Sequence, residues 1–147
     1  MKNNQPLLEY SILALVIIAC IVFFLHLKNQ EINLCQSILG SLSQGKTTVE
    51  KFIDWENLNA LGVNVGATYT GLANEKEKAD YKKAFIQNFA FGFQKSGGKS
   101  VLFRHWRIYQ RDSGKVIVAC DYSGYNKTLL FIISKLGKNK LISLQLK

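Results

Sequence analysis

The chain predicts an α+β fold in which an N-terminal transmembrane helix precedes helices packed on a four-stranded antiparallel sheet. Three observations lead there. Residues 10–27 form an 18-residue run without a charge. Residues 75–95 carry aromatic side chains at helical spacing between a capping signal and a glycine pair. Four β-type runs follow, joined by segments too short for parallel crossovers, which need a dozen or more residues.

The first run sets the organisation. At 1.5 Å per residue a helix of this length covers about 27 Å, close to a hydrocarbon core of about 30 Å, and Leu7 and Leu8 extend it. Lys2 before it and Lys28 after it suit the headgroup regions. The expected division is an N-terminal tail over 1–6, an anchor over 7–27 and a single domain over 28–147. A short tail that stays in the cytoplasm puts the domain outside, on the cytoplasmic (inner) membrane. A cleaved signal would need a shorter apolar region and a small-residue cleavage site. Ile17-Ile18-Ala19-Cys20 looks like a lipoprotein box with Cys20 as the lipidated residue. The run nevertheless continues through Ile21, Val22, Phe23, Phe24 and Leu25, where such sequences turn polar.

Nine Phe, six Tyr and two Trp provide a core for one compact domain, and Pro6 is the one proline. Charge is uneven. Residues 28–94 hold seven Lys and seven acidic groups; residues 95–147 hold eleven Lys and Arg against Asp112 and Asp121, a net +9. That asymmetry suits an anionic neighbour such as lipid headgroups, an acidic polymer or nucleic acid, or simply solvated strand edges. The three cysteines lack metal-ligand spacing. A Cys35–Cys120 disulfide needs an oxidising compartment, and buried free thiols are the preferred reading.

Ile32, Cys35, Ile38, Leu39 and Leu42 recur at helical spacing, so a helix continues to about Ser43. A short helix is expected over 48–55. Gly62, Gly66 and Gly71 make 57–72 a loop with room for one short strand. Asn74 caps the next helix, Glu77 completes a capping-box pattern, and Gly97-Gly98 ends it. Its Tyr81, Phe85, Phe89 and Phe93 repeat every four residues. This stripe is read as core against a sheet or as the lining of a ligand cavity. Strands are expected over 101–111, 116–122, 128–135 and 141–146. In the last, Ile142, Leu144 and Leu146 alternate with Ser143 and Gln145.

Chemical motifs are few, and no catalytic residue, metal site or cofactor is expected. Gly40-Ser-Leu-Ser-Gln-Gly45-Lys46-Thr47 matches the phosphate-loop spacing, in which amides and Lys46 hold phosphates and Thr47 holds Mg²⁺. Val116 to Asp121 would then supply the second metal-binding aspartate. The residues before the motif have helical rather than strand spacing, however. Gly40 and Gly45 are instead expected to break one helix while Thr47, with Glu50, caps the next. His26 and His105 have no partner visible in sequence for a catalytic triad, and the aspartates are scattered. Arg104-His105-Trp106-Arg107-Ile108-Tyr109-Gln110-Arg111 interleaves basic and aromatic residues, as single-stranded nucleic-acid binders do. The preferred reading packs Trp106 and Ile108 and exposes Arg104, Arg107 and Arg111 to an anionic partner; nucleic acid is not expected.

Two resemblances add to this reading. Helices followed by a curved four-stranded antiparallel sheet resemble the cystatin-like cone of the nuclear transport factor 2-like superfamily. Phe52-Ile-Asp54-Trp55, Leu61-Gly62, Tyr69, Leu72 and then Glu75 to Phe93 are similar to the helical part of periplasmic phospholipid-carrier proteins. That resemblance implies an apolar ligand, such as a lipid, between helices and sheet, with Phe85, Phe89 and Phe93 lining its cavity. The superfamily hosts enzymes, binders and secretion-channel scaffolds. Asn4-Gln5-Pro6-Leu7-Leu8-Glu9-Tyr10 is similar to class III or Flp-type prepilin signals, with Asn4 where those have glycine. The expected function is a non-catalytic, single-pass envelope protein. Its domain binds a partner protein, a second copy, or an apolar or anionic ligand near the membrane. The alternatives are a pilin-like filament subunit and a phosphate-loop nucleotide binder.

Overall fold

The computed structural model describes the backbone of residues 5–147 and the side chains of all but 5–9 and 26–28. Asn4 and Lys2 therefore lie outside the described residues, as do the side chains of His26 and Lys28. The chain forms two compact units, residues 1–30 and 31–147.

The first unit is helix α1, Gln5–Lys28. All its described side chains, from Tyr10 to Leu25, are exposed. No single helix among the described residues is long and apolar enough to cross a membrane; residues 10–25 meet that test only together with α2, Gln30–Ser43. The apolar face of α2 is already occupied, because Cys35, Ile38, Leu39 and Leu42 are buried in the core of the second unit.

The second unit is α+β. After α2 come a 3₁₀ turn, Thr47–Phe52; strands β1, Asn59–Ala60, and β2, Val63–Asn64; and helices α3, Val65–Thr70, and α4, Glu75–Lys95. A short 3₁₀ turn, Ser100–Leu102, leads to β3, Phe103–Arg111, β4, Lys115–Tyr122, β5, Lys127–Ser134, and β6, Lys140–Leu146. The last four strands pair in sequence order and antiparallel, as their short connections require.

The sheet nevertheless has six strands in the order β2-β1-β6-β5-β4-β3, and β1 runs parallel to β6. The expectation of a four-stranded, wholly antiparallel sheet is corrected there. The cause lies in residues 53–64, expected as the end of a helix and a loop. Asp54 N donates to Leu141 O at 3.0 Å and Leu61 N to Leu144 O at 2.7 Å, so this segment adds its backbone to the free edge of β6. The long connection between β1 and β6 permits a parallel pairing.

One face of the sheet carries Val116, Val118, Cys120, Leu129, Phe131, Ile133, Leu141 and Leu144, all buried against the helices. The connections follow local chemistry. Gly45, at φ +67, ends α2: its N–H bonds Leu42 O at 3.1 Å, and Lys46 N–H bonds Ser41 O at 2.9 Å. Gly97, at φ +72, ends α4 in the same way: its N–H bonds Gln94 O at 3.0 Å, and Gly98 N–H bonds Phe93 O at 2.8 Å. At its start, Asn74 Oδ1 accepts from Glu77 N at 2.9 Å while Glu77 Oε2 accepts from Ala73 N at 3.0 Å.

Candidate functional site

The aromatic stripe of α4 divides in two. Phe85 meets Trp55 edge-on at 5.6 Å and Tyr81 lies 6.4 Å from Tyr69, so these two rings belong to a packed aromatic cluster. Phe89 and Phe93 do something else. They form one wall of an open apolar cleft of about 390 Å³, whose floor is Leu39, Phe103, Leu129 and Leu144. α2 buries Cys35, Ile38, Leu39 and Leu42, whereas α4 buries only Ile86 and Ala90 among its described side chains and leaves Phe89 and Phe93 partly open.

A file of stacked rings runs along this wall. Centroid distances are 6.3 Å for Phe89–Phe93, 5.9 Å for Phe93–Phe103, 4.6 Å for Phe103–Tyr122 and 4.7 Å for Tyr122–Tyr125. Desolvation, helped by Tyr125, raises the Tyr122 phenol above its ordinary value, so the ring stays neutral. Gly92 leaves open space where a Cβ would stand. Sequence reasoning named Phe89 and Phe93 but missed Phe103, Tyr122, Leu129 and Gly92. A glycine inside an otherwise good helix was the available signal.

The three arginines are placed differently from one another. Arg111 holds Glu31, which is only 7% exposed, through Nη1 to Oε1 at 2.9 Å and Nη2 to Oε2 at 3.1 Å. Arg107 Nη1 donates to Asp121 Oδ1 at 3.0 Å and to His105 O at 2.9 Å. Arg104 makes no ion pair among the described residues; its Nε donates to Val101 O at 3.5 Å. Two of the three are thus occupied by carboxylates of this chain.

His105, for which the sequence shows no triad partner, has its Nδ1 3.3 Å from Asp121 Oδ2. The imidazole reaches it because His105 has φ +52 at a register shift of the edge strand. Arg107, then its charge, His105 and Thr128 hold the Asp121 carboxyl below its ordinary value.

The phosphate-loop spacing sits on the wrong structure. Gly40 continues α2 rather than breaking it, and the motif closes on that helix's C-terminus, where carbonyls converge instead of amides. Thr47 is not the cap of the next turn; Lys46 holds that position without a side-chain bond. Cys35 and Cys120 are free and buried, and burial raises both thiols, Cys120 to about 12. Among the described residues no group of three His, Cys, Asp or Glu is placed to hold a metal. Compared with known proteins, the chain matches no family model, no curated protein and no solved structure.

Proposed function

We propose that this chain is a single-pass, non-catalytic protein of the cytoplasmic (inner) membrane, whose extracytoplasmic domain holds an apolar ligand in the cleft beneath α4. The cleft carries the reading. Its volume of about 390 Å³ falls within the usual range of small-molecule sites, and its lining is apolar apart from Asn88, Ser96 and the Tyr122 hydroxyl. An aliphatic or aromatic ligand would displace water from Phe89, Phe93 and Phe103 at about 25 cal/mol per Å² buried. Helices followed by four consecutive antiparallel strands also accord with a cystatin-like cone.

The anchor is supported by α1, which is apolar all round and exposed along every described side chain from Tyr10 to Leu25. Such a helix finds its solvent in lipid. A protein partner or a second copy seated at the cleft mouth is the other form of the same reading.

Gly92→Leu tests it. The leucine enters the open space of the cleft and also improves the helix by about 0.5–1 kcal/mol over glycine. The full chain, purified in nanodiscs, is expected to take up a fluorescent fatty acid saturably, and the variant to lose that uptake while unfolding at higher urea. Equal uptake by both proteins would sink the cleft as a binding site. Intact-mass measurement of native protein separates the filament alternative, which requires a chain beginning at Gln5.

A further inference from the structure

The turn between β4 and β5 closes a second recess of about 470 Å³, lined by Arg104, His105, Asp121, Ser123, Lys127 and Thr128 among others. Side chains alternate across the sheet, and register places Arg104, Asp121 and Thr128 opposite one another on the reverse face from Phe103, Tyr122 and Leu129. Tyr122 lines both this recess and the apolar cleft, and Lys127 pairs with it on the cleft side, so the recess adjoins the cleft at the sheet's end while its Arg104, Asp121 and Thr128 wall faces away from it. We propose that the recess binds a phosphate group, carried by a soluble phosphomonoester or by a lipid headgroup.

The charge balance favours an anion. Asp121 is the one carboxylate in the lining, and Arg107 neutralises it at 3.0 Å while Thr128 Oγ1 donates to the same oxygen at 3.3 Å. Arg104 and Lys127 are left as two cations without an ion pair among the described residues. A guanidinium and an ammonium together are the common means of holding phosphate oxygens.

His105 gives the recess its chemistry. Its left-handed backbone is strained for a non-glycine residue, and Arg107 Nη1 ties the bulge through His105 O at 2.9 Å. An Asp–Arg pair alone would close this strand edge without a strained residue. The strain aims Nδ1 at Asp121 Oδ2, so Nδ1 carries hydrogen and Nε2 is the nitrogen left for a ligand. A phosphomonoester with its second ionisation near pH 6 retains one proton for part of its population at neutral pH. In that tautomer Nε2 accepts a hydrogen bond from that phosphate O–H.

The test uses the full chain in maltoside micelles, which contain no phosphate, titrated calorimetrically with phenyl phosphate. Saturable binding is expected, weakened at least ten-fold by Arg104→Ala combined with Lys127→Ala. His105→Gly suits φ +52 and so keeps the fold, checked by circular dichroism, yet should weaken binding similarly. Lys138→Ala with Lys140→Ala, at the β5–β6 turn, should leave the affinity unchanged. Binding that never saturates, or that falls equally in the Lys138/Lys140 variant, overturns the proposal, because net charge would then hold the anion. Displacement by dihexanoyl phosphatidic acid at ten-fold lower concentration than inorganic phosphate would identify a headgroup; equal displacement identifies a soluble phosphomonoester. None of the substituted residues lines the cleft, so either site can fail alone.

Discussion

Asp121 gathers three donors from three directions: Arg107 on β3, His105 at the bulge and Thr128 on β5. Its folded pKa lies below the ordinary 3.8, so the ionised carboxylate favours the folded state at neutral pH. That contribution fades as the pH falls below 3.8 and is gone once the pH passes the folded value. Because the side chain is 40% exposed, salt weakens the effect. In Asp121→Asn the urea midpoint should therefore fall less between pH 5 and pH 3 than in the wild type. Parallel curves would show that the three donors do not act on the carboxylate. Sequence alone could not pair His105 with Asp121, sixteen residues apart, because the pairing depends on the bulge register of β3. The same holds for Glu31 and Arg111, which are eighty residues apart. Two arginines that read as exposed contacts remain exposed, but each pairs with a carboxylate of this chain.

Elements with strong local signals lie where spacing places them. The capping box at Asn74 and the left-handed glycine at Gly97 bound α4 at Glu75–Lys95, the span expected from sequence. Strands β3 to β6 begin and end within two residues of their expected limits. Helix α3 escaped notice because glycines flank and enter it, and glycine argues for loop. Two contacts override that propensity: Asn64 Oδ1 caps the helix through Ala67 N at 3.0 Å, and Gly66 N–H donates to Leu58 O at 2.9 Å. Gly66 is needed for space rather than for φ, since a Cβ there would run into the Glu56 carbonyl. Gly66→Ala should cost upwards of about 2 kcal/mol in urea unfolding, by forcing α3 away from residues 56–58. A loss below half of that would mean the segment yields freely.

At the scale of the molecule, the buried hydrophobic cluster lies wholly within the second unit, from Cys35 to Leu144. Residues 31–147 alone should therefore match the full chain in unfolding free energy to within about 1 kcal/mol, a small part of a domain's 5–15. The full chain should resist carbonate extraction from membranes, and the shortened chain should be released. A shortened chain that unfolds would show that α1 contributes to the core. The basic surplus also takes a different form in three dimensions. Of its eleven cations, Arg107 and Arg111 pair with carboxylates of this chain, while Arg104 and Lys127 stand together at the sheet end.

Sequence by itself determined the elements governed by near neighbours. These are the apolar N-terminal helix, the capped aromatic helix and four strands whose short links force antiparallel order. Each depends on residues within a turn or two of one another, so a linear pattern contains the whole cause. Tertiary structure alone decided that residues 53–64 join β6, that α2 is buried more fully than α4, and that a cleft opens beside Phe93. It also decided which charges cancel. Those outcomes are set by packing volume and strand register between distant segments, and neither is a property of any short stretch of chain.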